Sequence, residues 1–381
     1  MAYFDNAATT YPKPQVVYDF MDKFYRETGA NAGRGNYGIA QSANKILDDT
    51  RNLVKEILHC PTKQVLFTPS ATIALNIILQ GLIKAGVRRI YISPFEHNAV
   101  TRTLHSFATD DLVQIYELIV SPDLKYDLER IHYLFDANKP DLVVISHASN
   151  VIGLVAPITD IFSLAKEYGS YTVADMSQTA GLVDCNIGLS TFDFAVFAGH
   201  KTLYGPTGLS GFVMNTEVKL PPILFGGTGT ESANQDMPDG LPERYEMGTI
   251  NISGVAGLNA ALRWNKEIGI SNIAQREAEN RERLISLLRC YDWLSIVGNT
   301  PGNEYVGIVS CLINGISSDS AGTIFSERGV AVRTGLQCAP LAHKFLNTFP
   351  AGTIRFSVSY FTSDEDFSNL KDTLDYIEGE L

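Results

Sequence analysis

The sequence predicts an α/β protein in which a doubly wound, mainly parallel sheet lies between helices and a smaller domain follows. Short apolar runs alternate with longer amphipathic stretches in the first half, as in strand–helix–strand units. These runs contain Val, Ile and Phe without alternating polar residues, which is typical of strands buried on both faces. The length of 381 residues exceeds what one ordinary hydrophobic core needs.

The predicted elements of the large domain follow this alternation. The strands are expected at 65–68, 89–93, 142–146, 171–175, 192–197 and 211–214. The helices are expected at 71–83, 127–138 and 158–168. Because ligands of such sheets bind beyond the carboxyl ends of the strands, the polar residues that follow each strand are the candidates for a functional site.

The second half predicts a loop, a long helix and the smaller domain. The segment 225–243 is rich in Gly, Pro and Thr, which indicates a mobile surface loop, and a helical pattern at about 254–289 follows it. We assign 14–262 to the large domain and 263–381 to a small α+β domain, joined by the N-terminal segment 1–13. The expected elements of the small domain are strands near 306–312 and 353–360 and a last helix started by the capping box of Ser363 and Asp366.

Composition narrows the classes of function. The net charge is −12 without a dense Lys/Arg run, which argues against nucleic acid or an anionic membrane as a partner. The apolar stretches are too short to span a bilayer and no signal peptide is visible, so we expect a cytoplasmic protein. The five scattered cysteines contain no CxxC pair, which argues against disulfides and a metal site. We expect all of them except Cys338 to be small buried hydrophobic residues.

The strongest local signal is a lysine directly after an apolar strand. Lys201 follows Gly199 and His200 and precedes a Gly-rich stretch. Desolvation of such a lysine lowers its pKa and frees the amine as a nucleophile, although a lysine that reaches solvent is the simpler alternative. Asp175 ends another apolar strand. If it is buried it needs a cationic partner, such as a protonated pyridine nitrogen; otherwise it caps a helix.

Three weaker signals accompany these two. Ser70 and Thr72 precede an apolar helix, where they would bind a phosphate or only cap the helix. His97 follows a strand and would either stack on a planar cofactor or serve a structural role. Asn150 follows the strand at 142–146 and would bind a phenolic oxygen or shape a turn.

In order and spacing, these motifs resemble the class V aminotransferase family, which are fold type I enzymes that use pyridoxal 5'-phosphate (PLP). Within that family the chain is most similar to cysteine desulfurases and selenocysteine lyases, and the resemblance runs from residue 4 to the last helix. The motifs that carry it are 4–9, Ser70-Ala71-Thr72, Glu96-His97, 146–150, Asp175-x-x-Gln178, Gly199-His200-Lys201, Glu246-Met247-Gly248-Thr249 and 332–339.

The resemblance implies a role for each matched cofactor-binding residue. Lys201 would hold PLP as a Schiff base, with His97 stacked on the ring. Asp175 would pair with the ring nitrogen and Gln178 would contact the phenolic oxygen. The further residues implied to bind the cofactor are Ala71, Thr72, Asn150 and His200, together with Thr249, which would reach the phosphate of the partner subunit in a homodimer with shared sites. Ala71 lacks the hydroxyl that the family often has at its position.

The resemblance also implies the substrate-binding and nucleophilic residues. Arg355 would bind the substrate carboxylate, as suits a bidentate guanidinium, and Asn150 would also contact substrate. Cys338, on a short ordered loop, would attack the substrate sulfur, with Arg333 or a protonated His97 lowering its pKa.

We therefore expect a PLP-dependent cysteine desulfurase that converts L-cysteine to L-alanine and passes a Cys338 persulfide to an acceptor protein or thiol. One desulfurase branch has two His before this cysteine, whereas this chain has Leu336 and Gln337, which removes possible proton donors. The rivals are a selenocysteine lyase or class V aminotransferase on the same scaffold, and a non-catalytic PLP-binding regulator. The set of Lys201, Asp175, His97 and Arg355 argues against the regulator.

Overall fold

Strands and helices alternate along most of the computed structural model, which describes residues 1–33, 35 and 37–380. The strands are β1 (Ala2–Tyr3), β2 (Gln64–Thr68), β3 (Arg89–Ile92), β4 (Gln114–Glu117), β5 (Leu142–Ser146), β6 (Tyr171–Asp175), β7 (Phe194–Ala198), β8 (Ser210–Met214), β9 (Leu294–Val297), β10 (Ile308–Ile313), β11 (Val330–Ala331), β12 (Arg333–Gly335) and β13 (Thr353–Ser357). The helices are α1 (Gln15–Thr28), α2 (Gly38–Ile57), α3 (Ala71–Lys84), α4 (Asn98–Ala108), α5 (Leu128–Ala137), α6 (Ile158–Glu167), α7 (Ile252–Ile268), α8 (Ile270–Leu288), α9 (Ser318–Glu327), α10 (Pro340–Phe345) and α11 (Asp364–Glu380).

The central sheet has seven strands in the order β2-β8-β7-β6-β5-β3-β4. Only β8 runs in the direction opposite to the other six strands, so the sheet is mainly parallel. Along β5, Val143 and Ile145 pack with α2, α5, α6 and α7, while Leu142 and Val144 pack with α3 and α4 on the opposite face. Both faces are therefore apolar, which explains the absence of polar alternation and confirms the predicted fold class.

The C-terminal part of the chain is built on a second, antiparallel sheet with the order β12-β13-β10-β9. Helices α8, α9 and α11 pack on it in one core cluster, which also contains Phe4 from the N-terminus. The predicted capping box starts α11: the Asp366 amide donates to Ser363 Oγ at 3.2 Å, and the Ser363 amide donates to Asp366 Oδ2 at 2.8 Å.

Two sequence-based predictions need correction. The helix expected at about 254–289 is wrong as a single element, because α7 ends and α8 begins at Gly269, whose φ of 89° and ψ of 126° only glycine adopts readily. In addition, β4 is not predicted from the sequence, because it has polar ends and lies at the sheet edge, so its apolar signal is short. Within the described ranges, every helix is too short or too polar to span a lipid bilayer.

Candidate active site

A cavity of about 120 Å³ lies at the carboxyl edge of the central sheet. The adjacent parallel strands β5, β6 and β7 end there at Ser146, Asp175 and Ala198, so the residues that follow them converge. The lining brings together most of the residues nominated from sequence: Ala71, Thr72, His97, Asn150, Asp175, Gln178, His200 and Lys201. Arg355, Cys338 and Thr249 lie outside this lining.

Lys201 lies on a turn directly after β7, and the N-terminal segment fixes that turn. The Lys13 ammonium donates to the carbonyl of His200 at 2.6 Å, and Thr10 Oγ1 donates to the carbonyl of Lys201 at 2.9 Å. Burial lowers the pKa of Lys201 to about 8, and the Asp175 carboxylate opposes this shift. A useful share of the amine is therefore neutral near physiological pH, as a nucleophile or base requires.

Asp175 is a buried carboxylate that Ser177 orients. The backbone amide and the hydroxyl of Ser177 both donate to Asp175 Oδ1, at 3.0 and 2.5 Å. Within the described part of the chain, no residue donates a hydrogen bond to the second carboxylate oxygen, Asp175 Oδ2. One oxygen is thus fixed by protein, and the other is available to accept a hydrogen bond from a ligand cation.

His97 is the N-cap of α4, and its ring makes the capping bond. The Ala99 amide donates to His97 Nδ1 at 3.0 Å, and burial, with a contribution from Lys201, lowers the pKa of His97. A ring nitrogen that accepts a hydrogen bond carries no proton, so the neutral imidazole has its proton on Nε2. Desolvation and capping both favour the neutral ring, which argues against the expectation that a protonated His97 activates Cys338.

The N-terminus of α3 forms another wall of the cavity. Ser70 caps the helix by accepting a hydrogen bond from the Ile73 amide at 3.3 Å, and Ser70, Ala71 and Thr72 line the cavity. His200 lines it too; burial lowers its pKa to about 4, and its Nδ1 is buried without a partner among the described residues. Free amides of a first helical turn favour anions, so this wall suits a phosphate.

Two amide side chains complete the lining. Gln178 Nε2 donates to the carbonyl of Ala7 at 2.9 Å, and Asn150 Nδ2 donates to the carbonyl of Gln337 at 2.6 Å. Asn150 Oδ1 is buried and lacks a hydrogen-bond partner within the described ranges. Since buried polar atoms are nearly always paired, this acceptor indicates a ligand group that donates to it.

Arg355 on β13 is buried beside the cavity, and Asp5 holds it. Its NH2 group donates to Asp5 Oδ1 at 2.9 Å, and its NH1 group donates to the carbonyl of Asn150 at 2.8 Å. Arg333 donates to the second oxygen, Asp5 Oδ2, at 2.6 Å. Two guanidinium groups share one carboxylate, so a net positive charge and several N–H donors of Arg355 remain for an anionic ligand.

Cys338 is exposed and lies on the turn 336–338 between β12 and α10. Its carbonyl accepts a hydrogen bond from the Asn98 amide at 2.7 Å, which attaches the turn next to His97. The thiol also interacts electrostatically with Lys201 and Arg355. The turn is therefore bonded to the cavity wall while its cysteine stays open to solvent.

The remaining cysteines differ from the expectation. Cys60 and Cys311 are buried as predicted, but Cys185 is half-buried and Cys290 is exposed. The prediction of four buried cysteines is wrong for these two. Cys290 lies in the turn that follows α8, where its Sγ donates to the carbonyl of Ser286 at 3.3 Å, and a helix end at the surface leaves the side chain accessible.

Thr249 is exposed and follows Gly248, which has a φ of 83°. The same motif is anchored at Glu246, which is buried and accepts hydrogen bonds from the Phe67 amide at 2.6 Å and from Arg51 at 2.7 Å. Thr249 is at the surface and does not line the cavity of its own chain.

The cavity fits PLP in chemical type. Lys201 supplies an amine for an aldehyde, Asp175 supplies a carboxylate for a ring nitrogen, and the start of α3 with His200 supplies a phosphate site. The unpartnered Asn150 Oδ1 supplies a further acceptor. Among the residues that the structure describes, no cluster of three or more His, Cys, Asp or Glu side chains could hold a metal ion.

Two acidic residues frame the site, although sequence reasoning gave them no role. Asp5 holds the arginines, and Glu96 accepts hydrogen bonds from the Ser146 amide and hydroxyl, both at 2.7 Å, and from Ser93 Oγ at 2.6 Å. Burial raises the pKa of Glu96 to about 7. Both residues belong to the quoted motifs, and a carboxylate directly before His97 was an available signal, but their partners lie far away in sequence.

Known proteins are similar to this chain in sequence and in fold. The family model described as aminotransferase class-V matches residues 2–370. A probable cysteine desulfurase of Xylella fastidiosa (strain Temecula1 / ATCC 700964) is 33% identical over 376 residues, which cover 96% of this chain and 88% of that protein. The apo structure of a cysteine desulfurase from Thermococcus onnurineus NA1 has a TM-score of 0.89 and 27% identity, and the match covers 100% of this chain and 95% of that one. The family match along nearly the whole chain shows that this protein belongs to the class V aminotransferase family, whose enzymes use PLP.

Proposed function

We propose that this protein is a PLP-dependent cysteine desulfurase that converts L-cysteine to L-alanine and carries the released sulfur as a persulfide on Cys338. The observation that carries the proposal is the attachment of the 336–338 turn to Asn150, which lines the cavity, and to Asn98, which lies between the lining residues His97 and Ala99. The Cys338 thiol is thereby held next to the cavity that contains the Lys201 amine. The relatives named cysteine desulfurase support the same reaction.

Lys201 is the residue that moves the proton at the substrate Cα. Its amine has a pKa of about 8, so it accepts a proton and returns it near neutral pH with little driving-force penalty. PLP, when bound, supplies an electron sink for the pair left at Cα. Asp175, with one oxygen fixed by Ser177, would hold the ring nitrogen, and the neutral His97 would cover the ring.

Arg355 would bind the carboxylate of the substrate. Asp5 and the Asn150 carbonyl take up two of its donors, and the others remain for a carboxylate in a charge-assisted pair. Burial makes that pair stronger than a surface ion pair, because water screens it less. Asn150 connects this arginine to the cavity, since its backbone contacts Arg355 and its side chain lines the wall.

Cys338 performs the sulfur step. Its thiolate sulfur bonds to the substrate sulfur while the Cβ–S bond of the substrate breaks. The electron pair of that bond stays on the carbon side, which takes up a proton to complete alanine. Because Cys338 is exposed, a protein or small thiol can then attack the outer sulfur of the persulfide and carry it away.

We also propose that the active form is a homodimer with shared sites. Thr249 is exposed and its motif is anchored through Glu246, which suits a contact with the phosphate of a second subunit. Mass measurement in solution with wild-type protein and Thr249→Ala tests this. A monomeric protein with full cofactor content would contradict it.

The proposed reaction is tested with purified, PLP-loaded protein and L-cysteine. Alanine and a persulfide at Cys338 are expected from the wild type, no alanine from Lys201→Ala, and no persulfide from Cys338→Ala. Cys290→Ala is the matched control, because it removes another exposed cysteine and should leave both products unchanged. Undiminished sulfur release from Cys338→Ala would refute the role of that thiol. Formation of a 2-oxo acid with a second amino acid would favour an aminotransferase.

A further inference from the structure

The turn that carries Cys338 has an unusual backbone. Gln337 and Cys338 have φ values of 39° and 57°, so two consecutive residues with side chains occupy the left-handed region. Such conformations are strained and persist only where surrounding contacts enforce them. The turn has three such contacts in its backbone. The Ala339 amide donates to the Leu336 carbonyl at 2.8 Å, the Asn98 amide donates to the Cys338 carbonyl at 2.7 Å, and Asn150 Nδ2 donates to the Gln337 carbonyl at 2.6 Å.

The side chain of Gln337 supplies the remaining contacts, and it points into the protein. It is only 7% exposed, and its Nε2 donates to the carbonyl of Thr353 at 3.0 Å and, more weakly, to that of Arg333 at 3.4 Å. These two carbonyls can only accept, so the amide orientation is fixed with Oε1 on the other side. Gln337 therefore ties the turn to β12 and β13, the strand of Arg355.

His343 on α10 completes the arrangement. This histidine is fully buried, and its Nε2 lies 2.8 Å from Gln337 Oε1 while its Nδ1 lies 2.7 Å from Thr348 Oγ1. Gln337 Oε1 can only accept, so His343 Nε2 carries the proton. Burial lowers the pKa of His343 to about 4, hence the ring is neutral and Nδ1 accepts from the Thr348 hydroxyl.

The same residue reaches the cavity through its backbone. The Gln337 carbonyl accepts the Asn150 Nδ2 hydrogen bond at 2.6 Å, and Asn150 Oδ1 is the unpartnered acceptor of the cavity lining. A shift of the turn thus also shifts Asn150. Gln337 therefore connects three features: the turn of Cys338, helix α10 and the lining of the cavity.

We propose that Gln337 and His343 are positioning residues that hold the strained 336–338 turn so that Cys338 stays aligned with the substrate sulfur. This inference rests on the proposed function for its reaction and on the hydrogen bonds above for its geometry. The side-chain amide of Gln337 holds the turn through hydrogen bonds to buried groups. It neither donates nor accepts a proton in the reaction.

The first test is hydrogen exchange on the full-length, cofactor-loaded protein without substrate. Gln337→Met keeps the length of the side chain and removes its hydrogen bonds; Gln114→Met, on the exposed edge strand β4, is the matched control. Faster exchange by about tenfold is expected at the amides of Asn98 and Ala339 in Gln337→Met, with α11 unchanged. Equal exchange in variant and wild type, or faster exchange in α11 as well, would overturn the positioning role.

The second test separates kcat from KM for alanine formation from L-cysteine. Gln337→Met should lower kcat by about 10- to 100-fold, because small displacements of a nucleophile cost much of its reactivity. The KM should stay within about threefold of the wild-type value, because the hydrogen bonds that Gln337→Met removes do not include those of Arg355 to Asp5 and the Asn150 carbonyl. An unchanged kcat, or a raised KM with unchanged kcat, would overturn the inference.

His343 gives an independent check. His343→Phe should lower kcat, and the double variant should be no slower than Gln337→Met alone, because Gln337→Met already lacks the hydrogen bond to His343. His343→Gln keeps an N–H donor and should retain kcat within about threefold of wild type; a fully additive double variant would sink the idea. Should the wild type release no alanine, the proposed function fails, while the exchange experiment still decides whether Gln337 holds the turn.

Discussion

The pKa of Lys201 offers a prediction that tests the electrostatics of the site before any turnover. Burial lowers this pKa from 10.5 to about 8, and Asp175 is the first of the charges that raise it against that shift. Replacement Asp175→Asn removes the opposing negative charge with little change of shape. The pKa of Lys201 should therefore fall below 8 in this variant, and the amine should become more reactive at neutral pH.

The size of the effect follows from the titration. With a pKa of about 8, roughly one Lys201 amine in ten is neutral at pH 7, whereas an ordinary lysine at 10.5 has about one in 3,000. The neutral fraction of Lys201 at pH 7 is thus about 300-fold larger than that of such a lysine, and Lys201 would react faster by that factor if access and intrinsic nucleophilicity were equal. Each further unit of lowering in Asp175→Asn corresponds to about 1.4 kcal/mol against the charged form.

The assay is pulsed reductive methylation of cofactor-free protein from pH 6 to pH 10, read for each lysine by mass spectrometry. Lys371 is the internal reference, because it is exposed and its hydrogen bond with Asp375 raises its pKa. The rate at Lys201 should reach half its maximum near pH 8 in the wild type and below pH 8 in Asp175→Asn. Asp184→Asn, an exposed carboxylate change, should behave as wild type. A midpoint for Lys201 equal to that of Lys371, or one that rises in Asp175→Asn, would refute the reasoning.

Two further predictions concern buried charges. Asp5→Asn should lower the free energy of unfolding by about 3 kcal/mol, because Arg355 loses its buried partner. The same variant should raise the KM for L-cysteine more than it lowers kcat. A decrease in the free energy of unfolding of less than about 1 kcal/mol, measured with urea, would contradict this prediction. Burial raises the pKa of Glu277 from 4.5 to about 7, with the Gly307 amide opposing. The stability from this raised pKa is fully present below pH 4.5 and is lost as the pH rises through 7, on the order of 3 kcal/mol in total. Glu277→Gln should remove this contribution to the pH dependence of the free energy of unfolding. Identical pH profiles of that free energy in the variant and the wild type would disprove the prediction.

The sequence by itself determined the fold class and the placement of the main strands. Strands such as β5 and β6 match their predicted bounds, since a run that is apolar on both faces can only be satisfied between two layers of helices. Parallel strands have their carboxyl ends at one edge, so the residues after β5, β6 and β7 had to converge, and Asn150, Asp175 and Lys201 do line one cavity. Local hydrogen bonding likewise set the capping box of α11.

Only the tertiary structure decided the contacts between residues far apart in the chain. Asp5 finds Arg355, and Gln337 turns inward to Thr353 and His343. A sequence pattern reports which face of an element is apolar, but it holds no information on which distant polar group will satisfy a buried one. Gly269 shows the same limit, because a single glycine within a helical pattern predicts either a continuous helix or a break. The first part of α7 packs in the core of the central sheet and the last part of α8 packs in the core of the second sheet, and this tertiary packing selects the break. The partners of buried charges are also selected by tertiary packing.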